Sequence, residues 1–429
     1  MARRRKRSNA PILAVAAMLI VSVAALVGAI IFNNLEKEEK PAAAPANEPQ
    51  SQIESQIPEP EPEPESEPEA AVVRFMAAGD NLIHDNIYKQ AAKRTDGNGF
   101  DFDPAYEHIE HIFDDADLSF VNQETIIAEK VFELSGFPTF NSPEAVGDKL
   151  VEMGFDVICM ANNHMFDKGE KGMIAALDYW DSKADEGVIA MGAWRNEEAM
   201  QEPIIYEKNG IRFGFVPMAE HTNGLTLPAG TELRYIRTDE YDLMEQQIKL
   251  ARENCDFLVV SVHWGTENST KVNDNQLYLA QWFSDLGVDL VLGHHSHTLQ
   301  PMEWRTGKEG NKTLVVYSLG NFISSMLNPQ NMLGGVLDLE ITMQPDEKPE
   351  ITAAKMIPIV THYDTNYRRD VRIYPFSEYT EELLNNHGVS KNYVAALYSG
   401  YGMNPNGINF SLDYMQGIIN NNIPEEFLD

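Results

Sequence analysis

Four apolar runs in this chain each end in Asp, Asn or His, and that layout leaves few architectures open. They are Phe75-Met76-Ala77-Ala78-Gly79-Asp80-Asn81, Val157-Ile158-Cys159-Met160-Ala161-Asn162-Asn163-His164, Leu258-Val259-Val260-Ser261-Val262-His263-Trp264, and Val288-Asp289-Leu290-Val291-Leu292 running into Gly293-His294-His295-Ser296-His297. Short apolar runs of this kind read as buried strands. Open α/β folds place their ligand crevices at the carboxyl ends of such strands. Packing alone gives no reason for polar donors to gather at four strand ends, so the pattern reads as a metal site along a sheet edge. In the last run three histidines fall within four positions, and His295 and His297, being two apart, are placed to point the same way. Oxygen and imidazole ligands without thiolate suit manganese, iron or zinc, and the residues do not choose among them.

The rest of the globular part alternates between strand-like and helix-like patterns. Strands are expected near 72–78, 118–121, 155–160, 188–191, 211–216, 257–262, 288–292 and 314–317, with amphipathic helices at 143–153, 169–182, 238–254 and 273–286. That alternation indicates an α/β layered domain. Asn209-Gly210 between two apolar runs is a hairpin signal. Residues 335–343 and 351–357 are expected to pair in the same way, so the sheets should be mixed, with antiparallel edges. The domain is expected to span 72–362. A polar, aromatic-rich extension, 363–429, follows it, with helices near 378–386 and 391–397 and loop composition from Tyr398 onward.

Ahead of the domain the composition is unsuited to a core. Residues 1–10 are basic, with Arg3, Arg4, Arg5, Lys6 and Arg7, and residues 11–32 carry no charge and only Ser22 as a polar side chain. A run of that length suits a single uncleaved transmembrane helix. The arginine cluster places its start on the cytoplasmic side and the following domain outside the cell membrane. Residues 33–71, rich in Glu and Pro, cannot bury apolar surface and read as an extended tether. The formal charge of −33 argues against nucleic acid as a partner. It would also repel a polyanionic product unless metal ions or local basic groups intervene. Cys159 and Cys255 are the only cysteines and are expected as buried free thiols.

Taken singly, several donors have ordinary explanations. Asp80 follows Gly79, where a glycine lets the chain turn sharply. Glu124 lies just past the strand that includes Phe120 and Val121, a position often simply solvated. Asn163 and His164 offer a neutral oxygen ligand next to an imidazole able to protonate a leaving group. Asp167 stands either to cap the helix near Gly169 or to orient that imidazole, and capping is the first expectation. His263 leaves a very apolar strand, and Glu267 nearby stays unassigned.

In order along the chain, Ala78-Gly79-Asp80-Asn81-Leu82, Asn122-Gln123-Glu124, Ala161 to Gly169, Val262-His263-Trp264-Gly265, Gly293 to Pro301 and Tyr317-Ser318-Leu319-Gly320-Asn321-Phe322 form an ordered set. That set resembles the CapA family of poly-gamma-glutamate capsule biosynthesis proteins, whose fold is similar to the calcineurin-type metallophosphoesterases. The resemblance implies a layered sandwich of mixed sheets flanked by helices. It implies a site for two divalent ions held by Asp80, Glu124, Asn163, His263, His295 and His297, with Glu124 as the bridging carboxylate. His164 would be the general acid, with Asp167 beside it. Two departures stand out: Leu82 occupies a place where such phosphoesterases carry histidine, and the bridging residue is Glu rather than Asp. His84 is the nearest alternative imidazole, at a different offset. The implied role is a membrane-anchored component of poly-gamma-glutamate synthesis or export, working with other polymer proteins and acting on the polymer or on a phosphorylated or amide-linked group. A non-catalytic scaffold and a surface phosphoesterase unrelated to capsule are the alternatives.

Overall fold

Strands β1 (Ala71–Asn81), β2 (Leu118–Asn122), β3 (Val157–Cys159) and β4 (Ile189–Met191) run parallel in a first sheet. Strands β5 (Ile204–Lys208), β6 (Ile211–Ala219), β7 (Phe257–His263), β8 (Leu290–His294), β9 (Met302–Thr306) and β10 (Lys312–Val316) form a second sheet in the order β5-β6-β7-β8-β10-β9. The chain returns to the first sheet with β11 (Asn321–Ile323), β12 (Leu333–Met343), β13 (Glu350–Asp364) and β14 (Arg369–Pro375). Its order is β14-β13-β12-β1-β2-β3-β4, with β11 paired alongside β1. Each sheet combines parallel strands with antiparallel ones at an edge, an α/β arrangement of mixed sheets with helices. The computed structural model describes residues 70–364, 368–389 and 410–428. The expected anchor, most of the tether and the expected helix at 391–397 lie outside the described residues. Among the described residues no helix is long and apolar enough to cross a membrane.

Alternation along the strands decides which way each donor faces. On β7, Leu258, Val260 and Val262 join the apolar cluster under the helices Tyr241–Asn254 and Asp274–Asp285, while Phe257 and Val259 join the cluster between the sheets. Ser261 and then His263 continue that inner row, and Ser261 Oγ sits 3.3 Å from Cys159 Sγ of β3. Phe75 of β1 stacks on Phe213 of β6 across the same interface, with ring centroids 6.2 Å apart. Burying side chains of this size contributes about 1.5–3 kcal/mol each, so the parity that sends His263 into the crevice is held by the hydrophobic residues before it. Cys159 and Cys255 are both buried and free.

The covering helices follow from their sequence. On Tyr241–Asn254 the buried residues Met244, Gln247, Ile248 and Ala251 recur at helical spacing. Asp274–Asp285 starts at a capping box in which Asn273 and Gln276 bond reciprocally. Asn209 and Gly210 have φ of 49° and 82° and join β5 to β6 in the expected tight hairpin.

The domain's sheet continues past residue 362, because β13 runs through Tyr363 to Asp364 and β14 pairs back on it. Beyond β14, Phe410, Met415, Ile419, Ile423 and Phe427 belong to the main apolar cluster. His387 fastens this region: its Nε2 lies 3.0 Å from Thr361 O and its Nδ1 accepts the Val389 N–H at 2.9 Å. Both ring nitrogens are therefore used in the neutral form, and burial holds the imidazole down at about 3. Its folded value is depressed below the ordinary one near 6.5. The stability it contributes is thus complete above pH 6.5 and lost as pH falls from there towards 3. We expect wild-type denaturant midpoints to drop between pH 7 and pH 4.5, and His387→Gln to show a smaller drop. Equal drops would contradict this assignment.

Candidate metal centre

The carboxyl ends of β1, β2, β3, β7 and β8 converge between the sheets. At the end of β1 the register shifts between Ala78 and Asp80 against β2, a bulge that re-aims Asp80 toward the second sheet. Gly79 is required for close approach rather than for a sharp turn, since a Cβ there would lie 2.0 Å from Gly320 O. Asp80 N donates to that same carbonyl at 2.9 Å. Similarly, a Cβ on Gly293 would lie 2.0 Å from Tyr317 O, so only glycine lets β8 carry its histidines past this point.

The six expected ligand side chains meet in one buried cluster. Donor atoms of Asp80, Glu124 and His297 all lie within 4.8 Å of one another. His297 Nδ1 is 3.0 Å from Asp80 Oδ2, and His297 Nε2 is 3.6 Å from Glu124 Oε1. His263 Nε2 is 3.6 Å from the same Glu124 oxygen and 3.1 Å from both Asn163 Oδ1 and His295 Nδ1. His295 and His297 do not continue a strand. They sit in a turn past β8 with φ of 87° and 56°, left-handed values that cost non-glycine residues energy and cluster at functional sites.

Electrostatics sort these groups. Burial pushes Glu124 well above the usual carboxylate range, against the pull of His297. Burial also works to raise Asp80, but the neighbouring His294 and His297 imidazoles outweigh it and hold that carboxyl well below. Burial lowers His263 far below its ordinary value and brings His295 to about 3. His297 runs the other way: burial opposes its charge, yet Glu124 and Asp80 raise it to about 10. Glu124 is 0% exposed, and neither of its oxygens has a hydrogen-bond partner among the described residues. A buried carboxylate with no donor is costly unless paired or bound to a metal. The facing nitrogens of His263, His295 and His297 complete an N/O donor set that fits manganese, iron or zinc.

His164 stands beside the cluster, 6% exposed, with Nδ1 2.8 Å from Asp167 Oδ2. Asp167 thus orients the imidazole and does not cap the helix Gly169–Asp181, whose N-cap residue is Lys168. The same Asp167 oxygen accepts the Phe140 N–H at 2.6 Å, and the Phe140 ring packs edge-on against His164. Leu82 is buried, and the backbone engages His84: Nδ1 lies 3.2 Å from Leu82 O and 3.4 Å from Ser325 N. His84 therefore supplies no imidazole to Asp80 at that nitrogen. Glu267 is exposed.

Three further residues lie against these side chains. Asn122 Nδ2 donates to Asp80 Oδ1 at 2.8 Å, Asn321 Oδ1 lies 3.1 Å from His297 Nδ1, and His294 Nδ1 is 3.5 Å from Asp80 Oδ1. His294 is the last residue of β8 and stacks on Phe120 of β2 at 5.8 Å. Its place in a run of histidines was the available signal. For Asn122 and Asn321 it was their position beside strand ends.

The family model of the bacterial capsule synthesis protein PGA_cap matches residues 74–326. The chain belongs to that family, whose matched region contains every residue of the centre described above. It is 32% identical over 175 residues to the PGA biosynthesis protein CapA of Bacillus subtilis, covering 41% of this chain and 44% of that one. It is 31% identical over 176 residues to the capsule biosynthesis protein CapA of Bacillus anthracis, covering 40% and 41%. The matches thus span less than half the length of either relative. Among solved structures, a 5'-nucleotidase precursor from Thermus thermophilus aligns over 67% of this chain and 54% of its own, at 14% identity and a TM-score of 0.42.

Proposed function

We propose that this protein acts in poly-gamma-glutamate capsule synthesis or export, with a metal-dependent hydrolase-like centre acting on a phosphorylated or amide-linked group. Membership of the capsule synthesis family and the likeness to the PGA and capsule biosynthesis proteins of the two Bacillus species support the pathway. The chemistry rests on one observation above others: the buried Glu124 carboxylate, which accepts no hydrogen bond among the described residues and has the His263 and His297 imidazoles each 3.6 Å from one of its oxygens. Asp80, Glu124 and His297 would hold one divalent ion, and Glu124, Asn163, His263 and His295 a second. Such ions polarise an acyl or phosphoryl oxygen and acidify water.

The chain's own residues do the rest. His164, next in sequence to Asn163 and fixed through Nδ1 by Asp167, would give the proton to a leaving group from Nε2. Asn122 and His294 turn Asp80 Oδ1 away from the centre, so Oδ2 is the oxygen offered to it. The apolar run at 11–32 supports a single-pass anchor that tethers the domain outside the cell membrane, beside the other proteins of polymer synthesis.

One observation favours a second reading, in which the centre is structural and the protein is a non-catalytic scaffold of the export complex. Leu82 puts a buried aliphatic side chain where the phosphoesterases that the sequence resembles carry an imidazole. The two readings part on His164→Ala in a capsule-forming strain. Catalysis requires polymer output to fall sharply while the protein keeps its metal; normal output would select the scaffold.

A further inference from the structure

The turn after β6, His221-Thr222-Asn223-Gly224, supplies none of the six ligand side chains, yet it closes one side of the centre. Asn163 Nδ2 donates to Asn223 Oδ1 at 3.4 Å, while Oδ1 of the same Asn163 amide lies 3.1 Å from His263 Nε2. The His221 ring packs edge-on against His295, with centroids 4.9 Å apart, and His221 Nδ1 accepts the Asn223 backbone N–H at 3.4 Å. Asn223 and Gly224 have φ of 52° and 72°, a left-handed conformation that Asn and Gly adopt more readily than other residues. The turn is thereby shaped to bring the Asn223 side chain back over Asn163, sixty positions earlier in the chain.

An amide has a donor end and an acceptor end, and only its oxygen can hold a cation. Whatever takes the N–H decides which end faces inward. We infer that Asn223 is a positioning residue for the ion shared by Asn163, His263 and His295. Its side-chain oxygen holds Asn163 with Nδ2 outward and Oδ1 facing the imidazoles. This rests on the metal-centre reading above. Without Asn223 the Asn163 amide is free to flip and present its NH2 group to the ion. Outer partners of this kind typically account for about 10- to 100-fold in metal affinity. Asn223 is itself exposed, so the bond matters to the site and little to the fold.

Two substitutions separate the side-chain bond from the turn. Asn223→Gly keeps the left-handed backbone and removes the acceptor; Asn223→Asp keeps both. The probe is calorimetric titration of the metal-free full chain with manganese or zinc alone. The expected result is wild-type uptake of two ions. For Asn223→Gly one of the two should weaken about 10- to 100-fold, with the other ion and the metal-free thermal midpoint unchanged, and Asn223→Asp should restore wild-type affinity or better. Wild-type affinities in Asn223→Gly overturn the inference, as does an Asn223→Asp variant no tighter than Asn223→Gly. A wild type that binds neither metal overturns the metal-centre reading and this inference with it. A defect confined to the glycine variant upholds both.

Discussion

Replacing Glu124 by glutamine is expected to make the metal-free protein more stable and at the same time blind to metal. The carboxylate is fully buried and neither oxygen accepts a hydrogen bond among the described residues. Burial raises its folded value well above the ordinary one. A group raised in this way favours folding most below its unfolded value, near pH 4.3, and that contribution is lost as pH climbs through the folded value. Around neutral pH the metal-free protein therefore carries either a costly buried charge or an added proton. Glutamine keeps the shape, removes the charge, and leaves an amide facing His263 and His297. The gain should be about 1 kcal/mol, the low end of the cost of an unsatisfied buried group, because the amide keeps polar atoms buried and His297 loses a facing charge. With metal at 100 times its Kd, the wild type should gain about 2.7 kcal/mol and Glu124→Gln nothing. Denaturant midpoints with and without metal measure both effects. A metal-free variant weaker than wild type, or one that metal still stabilises, would contradict the assignment. Because His297 stands at about 10 and must be neutral to bind an ion, uptake by the wild type should release a proton and tighten as pH rises.

The second large effect concerns His164. A positioned general acid contributes about 10²- to 10⁴-fold, so His164→Ala should lower kcat by that range with its metal content intact. Assays with a chromogenic phosphoester and with a γ-glutamyl amide would identify the bond class. Asp167→Asn should fall between the two proteins, because the amide still accepts the Phe140 N–H but no longer fixes the imidazole with a charge. Undiminished turnover in His164→Ala would remove the acid role, and a wild type that turns over neither substrate would leave the scaffold reading.

The strands that lead to Asp80, Asn163, His263 and the late histidines were legible because both their faces are buried, which makes them continuous apolar runs. The helices and the Asn209-Gly210 hairpin were legible through periodicity and turn chemistry. Details set by contacts far apart in sequence were not. The strand expected to stop at Leu292 continues to His294, whose ring fits against Phe120 of the other sheet. Asp167 turned to His164 and Phe140 N rather than to the helix end, a choice made by a loop 27 positions earlier. The extension expected after residue 362 shares a strand with the domain, because β13 is 15 residues long and crosses that point. Asn223 gave no signal, since Asn-Gly in an exposed stretch reads only as a turn.

Metal analysis of the purified wild-type protein bears most directly on the claim that Asp80, Glu124, Asn163, His263, His295 and His297 share inorganic ions. Elemental analysis should find roughly two divalent transition-metal ions per chain, with His295→Ala losing at least one of them while remaining folded. A folded wild type that holds no such ion after exposure to manganese, iron and zinc would contradict the account.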